Sequence, residues 1–451
     1  MPQPIQSDSN AAYINTTIIG GSLKEFRDDA LGFFLKLHKQ YGDRSIFRLG
    51  PKRFHAIFDP ELLKEVMVTK ADLFIKSATF GEIKRFTGEG LVLSDGELHK
   101  RQRRIMQPRF TRGHIQHYAE KMGTITDEHL QQWKHGTTRE LTEDLFGITF
   151  DIIAQTMFSF DSRDRLDRIG RAYEVINRIA TEKLRALIRL PLLIPTKQNR
   201  AYTNAIETLN EIVYEVIAER RKQKDSPKAD LLEGLMAAVD ETDGTGMDDA
   251  QLRDELMAIF LAGHETTANT LAFAFDYIMR HPHVEEKLTE EWACVLKGKT
   301  PTADDYSSLP FTQNVLWETL RLRPAGYVTG RTATADVMIG DLRVRKGESF
   351  MISPYPLHMS SAYFEDPHVF RPERFENDYV KKIPMLAYFP FGAGPRSCIG
   401  NHFAMLEMVI ILAAIGQRFQ LRHTPGHPEV LPESLLTLSP KGGIRVTVSL
   451  R

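Results

Sequence analysis

Phe391-Gly392-Ala393-Gly394-Pro395-Arg396-Ser397-Cys398-Ile399-Gly400 is the stretch on which the reading of this chain turns. Its glycines permit backbone conformations closed to other residues and let a flat cofactor come close to the main chain. The loop runs into a helix expected from about Ile399, so Cys398 stands just before a helix N-terminus. Unsatisfied N–H groups and the helix dipole stabilise a thiolate there, and a thiolate can ligate iron or act as a nucleophile. A lone cysteine in a tight turn is otherwise a small core hydrophobe, and that alternative stands until the surroundings are read.

A long helix precedes this loop in the chain. Asp248 or Asp249 can cap it and no proline follows until His281-Pro282, which predicts roughly 30 residues, ~45 Å of helix. Leu252, Leu256, Ile259, Phe260, Leu261, Leu271, Phe273 and Phe275 leave it apolar on most faces, the mark of a buried central helix. Ala262-Gly263-His264-Glu265-Thr266-Thr267 interrupts that apolar run. A helix-interior glycine costs about 1 kcal/mol against alanine, and a buried carboxyl is out of place. Thr266 can bond the carbonyl of Ala262 and bend the helix, and Gly263 leaves no side chain in the gap, where dioxygen could sit. Read without further context, the same residues describe a polar kink with buried hydrogen bonds, with His264 satisfied in the core.

Around these two features the chain is mainly α with small β-sheets, an α+β class. Residues 45–49 and 53–58 flank Gly50-Pro51 as short strands, and Pro60-Glu61 opens a helix to about Thr69. From about Gly113 to Arg221 the spacing is helical, broken near Leu190-Pro191 and Ile194-Pro195-Thr196. Polar loops are expected at 222–228 and 240–249 around a short helix. Strands follow at 336–339 and 349–353, and a terminal hairpin joins 435–438 to 444–450 across Pro440-Lys441-Gly442-Gly443.

With 451 residues, 42% hydrophobic, no clean linker and no internal repeat, the expectation is one domain over 1–451 with a polar tail at about 1–20. A net charge of −1 gives no global pull towards nucleic acid or anionic membranes. Cys294 and Cys398 are the two cysteines, too few for a disulfide framework and suited to a reducing compartment. Met1 to Thr17 carries neither the apolar core of a signal peptide nor the ~20 apolar residues of a membrane-spanning helix. A cytoplasmic monomer without a membrane anchor is expected.

Phe391, Gly392, Gly394, Arg396, Cys398 and Gly400, extended by Ala404 and Glu407, match the haem-binding signature of the cytochrome P450 family, and the chain resembles that family from roughly Gly42 to its end. The resemblance implies haem b, with Cys398 as axial ligand to the iron, Phe391 packed beside the sulfur and Arg396 paired with a propionate. Glu265 and Thr266 then match the family's acid–alcohol pair, which delivers protons to dioxygen. Glu318 and Arg321, alone a commonplace surface pair, join Arg374 of Phe370-Arg371-Pro372-Glu373-Arg374-Phe375 in what resembles a buried Glu–Arg–Arg network with a structural role. His99 and Arg103 match propionate contacts, although many members have Trp where His99 stands, and Arg331 takes the place of another propionate-binding arginine.

Position within the resemblance also names pocket segments, and Phe86, Val92, Ala262, Ala325, Val328 and Leu436 suggest a mostly apolar cavity. The implied reaction is hydroxylation or epoxidation of an apolar small molecule (fatty acid, terpenoid, steroid or other natural product) with dioxygen. Two cysteines cannot hold an iron–sulfur cluster and no flavin module is present, so electrons come from an external ferredoxin or flavodoxin with an NAD(P)H reductase. Lys100, Arg101 and Arg104 can dock such a partner, or form a merely solvated charged face. Two other classes remain: a peroxide-driven haem-thiolate enzyme, whose family pattern has Arg-Pro in place of Glu265-Thr266, and a non-catalytic haem sensor or carrier, which needs neither residue.

Overall fold

Asp248 caps the long helix as its sequence predicts: in the computed structural model its side chain accepts from the Gln251 N–H and the helix runs Asp249–Arg280, 32 residues. It ends at His281 because Pro282 has no N–H to continue it. The structure describes residues 12–14, 20–76, 81–159, 163–185, 192–222, 230–241 and 244–451. The chain divides into two units, Met1–Phe80 with Trp317–Cys398, and Gly81–Leu316 with Ile399–Arg451.

The first unit is built on a six-stranded sheet in the order Ala12–Tyr13, Arg44–Leu49, Lys52–Ile57, Ser349–Ile352, Thr329–Ala333, Phe74–Lys76. The expected pair around Gly50-Pro51 is an antiparallel hairpin with Phe47 opposite Phe54, and Gly50 supplies the left-handed residue at its turn. Phe33, Phe34 and Leu37 of the helix Ala30–Tyr41 pack on Phe47, Phe54 and Met351 to make one core. Asp59 accepts from the N–H groups of Glu61 and Leu62 and starts the helix Pro60–Lys64, which widens into a π turn at Glu65–Thr69. Val337–Ile339 pairs with Leu342–Val344 as a small separate hairpin.

The second unit is helical, with Gly81–Thr87, Gly96–Met106, Arg112–Leu130, Leu141–Phe158, Arg163–Arg185, Lys197–Lys222, Leu231–Ala237, Pro282–Val295 and Asn401–Arg418 besides the long helix. Pro195 falls between Arg163–Arg185 and Lys197–Lys222 as expected, whereas Leu190-Pro191 and residues 223–229 lie outside the described residues. The long helix is buried against Leu141–Phe158, Lys197–Lys222 and Asn401–Arg418, which accounts for its apolarity on most faces. The last helix begins at Asn401, two residues beyond the expected start, with Gly400 at its cap.

The terminal hairpin is a correction. Leu438–Pro440 pairs instead with Pro432–Ser434, so most of the segment read as a strand, Leu435 to Thr437, is their turn. Arg445–Leu450 pairs on one side with Phe419–His423 and on the other with Thr138–Glu140. Gly442 and Gly443, both at positive φ, turn the chain between two different sheets. Alternation marks a strand but does not choose its partner. Among the described residues no helix is long and apolar enough to cross a membrane.

Candidate functional site

In the first unit, three hydrogen bonds shape the loop before the last helix. The N–H groups of Gly392, Ser397 and Cys398 donate to the carbonyls of Phe389 (2.9 Å), Gly394 (3.0 Å) and Phe391 (2.8 Å). Gly392 and Gly394 sit at φ 70° and 67°. A methyl group on Gly394 would lie 2.0 Å from the Met67 carbonyl oxygen, so no other residue fits there. The Phe391 ring meets Trp317 edge-on at 5.8 Å. Cys398 closes the loop and is exposed.

The same unit contains the charged network. Both Glu318 and Arg321 have no solvent exposure. Arg321 holds Glu318 with Nε and Nη2 (2.7 and 2.9 Å), while Arg374 Nε and the Arg371 N–H each donate to Glu318 Oε1 at 2.9 Å. Burial lowers the Arg374 pKa from the usual guanidinium range, and the Glu318 carboxylate opposes that. Arg321 also donates to the carbonyls of His358 and Pro367.

His358, which no motif singled out, ties this network to the cysteine loop. Burial first, then the Arg321 charge, push it down to about 3, so its ring is neutral. Its Nδ1 lies 3.2 Å from the Arg321 carbonyl, leaving Nε2 to accept from the Phe389 N–H at 3.1 Å. Arg331 is buried on Thr329–Ala333, where its Nη1 donates to Thr329 Oγ1 and the Gly330 carbonyl. Ala325 is buried. Val328, expected in the pocket, is partly buried and packs on the Phe33–Phe34–Phe47 core.

In the second unit the centre of the long helix carries the acid and the alcohol. Thr266 Oγ1 donates to the Ala262 carbonyl at 2.9 Å, and Thr267 and Thr270 repeat the pattern one turn back from each. Ala262 is exposed and Thr266 half-buried, between the buried Leu261, His264 and Glu265. A methyl group on Gly263 would stand 2.7 Å from Ile153 Cδ1, so the glycine lets the Leu141–Phe158 helix pack close. His264 is buried among Phe146, Phe150 and Tyr173. Burial pushes it down to about 4 and its Nδ1 bonds the Phe260 carbonyl, while its Nε2 is buried without a hydrogen-bond partner among the described residues, so the core satisfies only one side of the ring.

Glu265 is held by residues that the sequence did not announce. Its Oε1 accepts from Thr437 Oγ1 at 2.7 Å, and its Oε2 accepts from the Tyr173 hydroxyl at 2.9 Å and Asn177 Nδ2 at 3.2 Å. Asn269, one turn further along the helix, donates to Thr437 Oγ1 and Ser439 Oγ. Burial raises the Glu265 pKa, and the bonds from Thr437, Tyr173 and Asn177 oppose it. Tyr173 is itself pushed well up, by burial and then by the facing carboxyl. Glu407, on the last helix, is fully buried and pushed well above the carboxylate range by burial, with the Thr267 hydroxyl opposing.

His99 and Arg103 lie four residues apart on the helix Gly96–Met106, hence on one face, with His99 buried. The neighbouring basic residues are engaged within the chain. Arg101 donates to Thr245, Gly246 and Gln251, and Arg104 to the buried Asp240, so both pin the 240–251 segment; Lys100 pairs with Glu97. Phe86 is buried edge-on to Tyr173 and lines a small apolar cavity with Ile169, Leu209 and Met257. Val92 and Leu436 are half-buried, Leu436 beside the Thr437 that holds Glu265.

Within the first unit, the residues of the cysteine loop fit a flat cofactor with a sulfur ligand. The glycine loop offers bare backbone ending in an exposed thiol; in the second unit, the buried middle of the long helix bares Ala262, with the Thr266 hydroxyl a turn later.

A profile of the family described as Cytochrome P450 matches residues 15–448. The chain is 33% identical over 394 residues to cyclooctat-9-en-7-ol 5-monooxygenase of Streptomyces melanosporofaciens, covering 87% of this chain and 85% of that one. It is 31% identical over 426 residues to pentalenene oxygenase of Streptomyces avermitilis, covering 93% and 92%, and 29% identical over 451 residues to human Cytochrome P450 4F3, covering 93% and 86%. A profile that runs through both units, with relatives aligned over most of their length, leaves one home for the glycine loop and the acid–alcohol helix: the chain belongs to the cytochrome P450 family and is a haem-thiolate monooxygenase, carrying haem b and acting with dioxygen and a redox partner on apolar small molecules.

Proposed function

We propose that Cys398 would supply the thiolate that holds the haem iron, that Thr266 and Glu265 handle the protons of the reaction, and that the substrate is a cyclic terpenoid. One observation carries the first assignment: a loop held by two left-handed glycines, one without room for a methyl group, ends on an exposed sulfur. Gly392 and Gly400 keep the backbone clear, Phe391 flanks the loop, and Arg396, His99, Arg103 and Arg331 are the propionate partners in this reading. Haem held there supplies an iron at which dioxygen is reduced, and thiolate ligation favours O–O cleavage.

The Thr266 hydroxyl already donates to the Ala262 carbonyl along the exposed edge of the helix. Turned from that carbonyl, it can pass a proton into the pocket and take another in return. Glu265, with its pKa raised by burial, can hold a proton ready nearer to neutral pH than an ordinary carboxyl. Phe86, Val92, Ala262 and Leu436 of the second unit support an apolar pocket, Ala325 and Val328 of the first unit are proposed as further apolar contacts of the substrate, and the names of the two Streptomyces relatives support a cyclic terpenoid. Electrons are proposed to come from a ferredoxin or flavodoxin served by an NAD(P)H reductase. The chain is read as a cytoplasmic monomer, and as one functional domain because the family profile runs through both units.

The test is spectral. Cys398→His should abolish the red-shifted Soret band of the reduced carbon monoxide complex, and an unchanged band would overturn the ligand assignment. Titration with pentalenene and with lauric acid, read as the shift of the resting Soret band, separates a terpenoid from a fatty-acid preference.

A further inference from the structure

The long helix carries a second buried carboxyl that the reaction does not use. Glu255 has no solvent exposure, and a carboxyl is costly to bury unless a donor meets it. Its donor comes from outside the helix: the Leu91 N–H donates to Glu255 Oε2 at 2.8 Å. One residue earlier on the helix, Asp254 Oδ2 accepts from the Glu89 N–H at 2.7 Å, and Arg253 Nη1 holds the other Asp254 oxygen. Gln102 Nε2 donates to the Glu89 carbonyl from the opposite side.

Residues 88–94 form no helix or strand, so these side chains satisfy backbone groups that regular structure would otherwise serve. The segment also lies flush on the helix. A methyl group on Gly90 would come within 2.5 Å of the Asp254 carbonyl oxygen and 2.8 Å of Ala258 Cβ. Ala258, Ala262 and Thr266 follow at four-residue steps, so the segment is seated on the helix face that leads to the reactive threonine. Glu255 lies eleven residues before Thr266, ~16 Å along a single helix.

We propose that Glu255, seconded by Asp254, is a specificity-determining positioning residue: it clamps the 88–94 segment to the long helix and so sets where the pocket wall at Leu91 and Val92 stands relative to Thr266. The proposal rests on the reading of this segment as pocket wall. Because clamp and threonine share one helix, the wall keeps its register with the reactive position when other elements move. Leu91 and Val92 then present a fixed apolar shape, and loss of the clamp blurs the discrimination between ligands of different shape.

The experiment uses the full-length holoenzyme. Hydrogen exchange is measured across 88–94, and the affinities of 1-phenylimidazole and 4-phenylimidazole, isomers that project the phenyl ring differently and of which only the second keeps an N–H, are measured by spectral titration and their ratio compared with that of the wild type. Glu255→Leu should speed Leu91 amide exchange about tenfold, the loss of one buried hydrogen bond, and bring the two affinities towards equality. Glu255→Gln, which keeps an acceptor oxygen, should preserve both. Should Glu255→Leu fail to fold, Gly90→Ala lifts the segment from its other side and should give the same two changes. Unchanged exchange in a folded variant overturns the clamp, and faster exchange with an unchanged affinity ratio overturns its role in specificity. Neither outcome bears on Cys398, whose Soret test is separate.

Discussion

Replacing Glu318 by glutamine is the most searching perturbation of the haem-side network, because it keeps size and shape while removing charge. Glu318 Oε1 accepts from Arg321, Arg374 and the Arg371 N–H, and Oε2 from Arg321 Nε. An amide oxygen at the first position keeps three acceptor contacts, but its NH2 then faces the Arg321 Nε–H, donor against donor. Two guanidinium groups that are nearly or wholly buried lose their counter-charge. Breaking a buried pair costs about 3–5 kcal/mol. At ~2.1 cal/mol/K per residue the unfolding entropy of a chain this long is about 0.9 kcal/mol/K, so Tm should fall by about 3–5 °C. Because His358 accepts from the Phe389 N–H at the start of the cysteine loop, haem should also dissociate faster. Calorimetry and the loss of the Soret band into apomyoglobin read the two effects. A variant with wild-type Tm and haem retention but little turnover would refute the structural role and place Glu318 in the chemistry. Glu318→Ala adds a cavity to the lost charge and should yield apo or insoluble protein.

Thr266→Ala should keep consuming NAD(P)H while releasing more hydrogen peroxide and less product; unchanged coupling in a well-folded variant would remove Thr266 from the proton relay. Tyr173→Phe deletes a bond that lowers the Glu265 pKa, so the pKa governing coupling should rise, and a pH profile that does not move would separate Glu265 from proton delivery. Burial pushes Glu255 up to about 8 from its ordinary 4.5. An acid raised in the folded state makes its full contribution below its unfolded value and loses it as pH rises, by up to about 1.4 kcal/mol per pH unit. Glu255→Gln should therefore match wild type in stability below about pH 4.5 and gain on it up to about pH 8, and a constant difference across that window would contradict the burial of the carboxyl.

What could be read from residues alone is what short-range chemistry specifies. A capped, proline-free apolar run can only be a long buried helix, and the structure returns it as Asp249–Arg280. Glycines at 392 and 394 mark a left-handed loop, which is where they stand. Threonine four residues after a carbonyl in a helix bonds that carbonyl, as Thr266 does. All three depend on neighbours within a few residues.

The rest depends on which distant segments meet. Arg445–Leu450 alternates like half of a hairpin, yet its hydrogen bonds go to Phe419–His423 and Thr138–Glu140 because sheet pairing needs only an open edge of matching register. Gly263 marks a missing side chain in the sequence, but that Ile153, 110 residues earlier in the chain, stands against it is decided by packing. Tyr173, Asn177 and Thr437 meet at Glu265, and His358 links Arg321 to the cysteine loop, from positions that no spacing in the sequence connects. Buried polar groups must find partners wherever the fold brings one within about 3 Å, so sequence shows that Glu265 and Glu255 need a donor, and only tertiary structure decides which one.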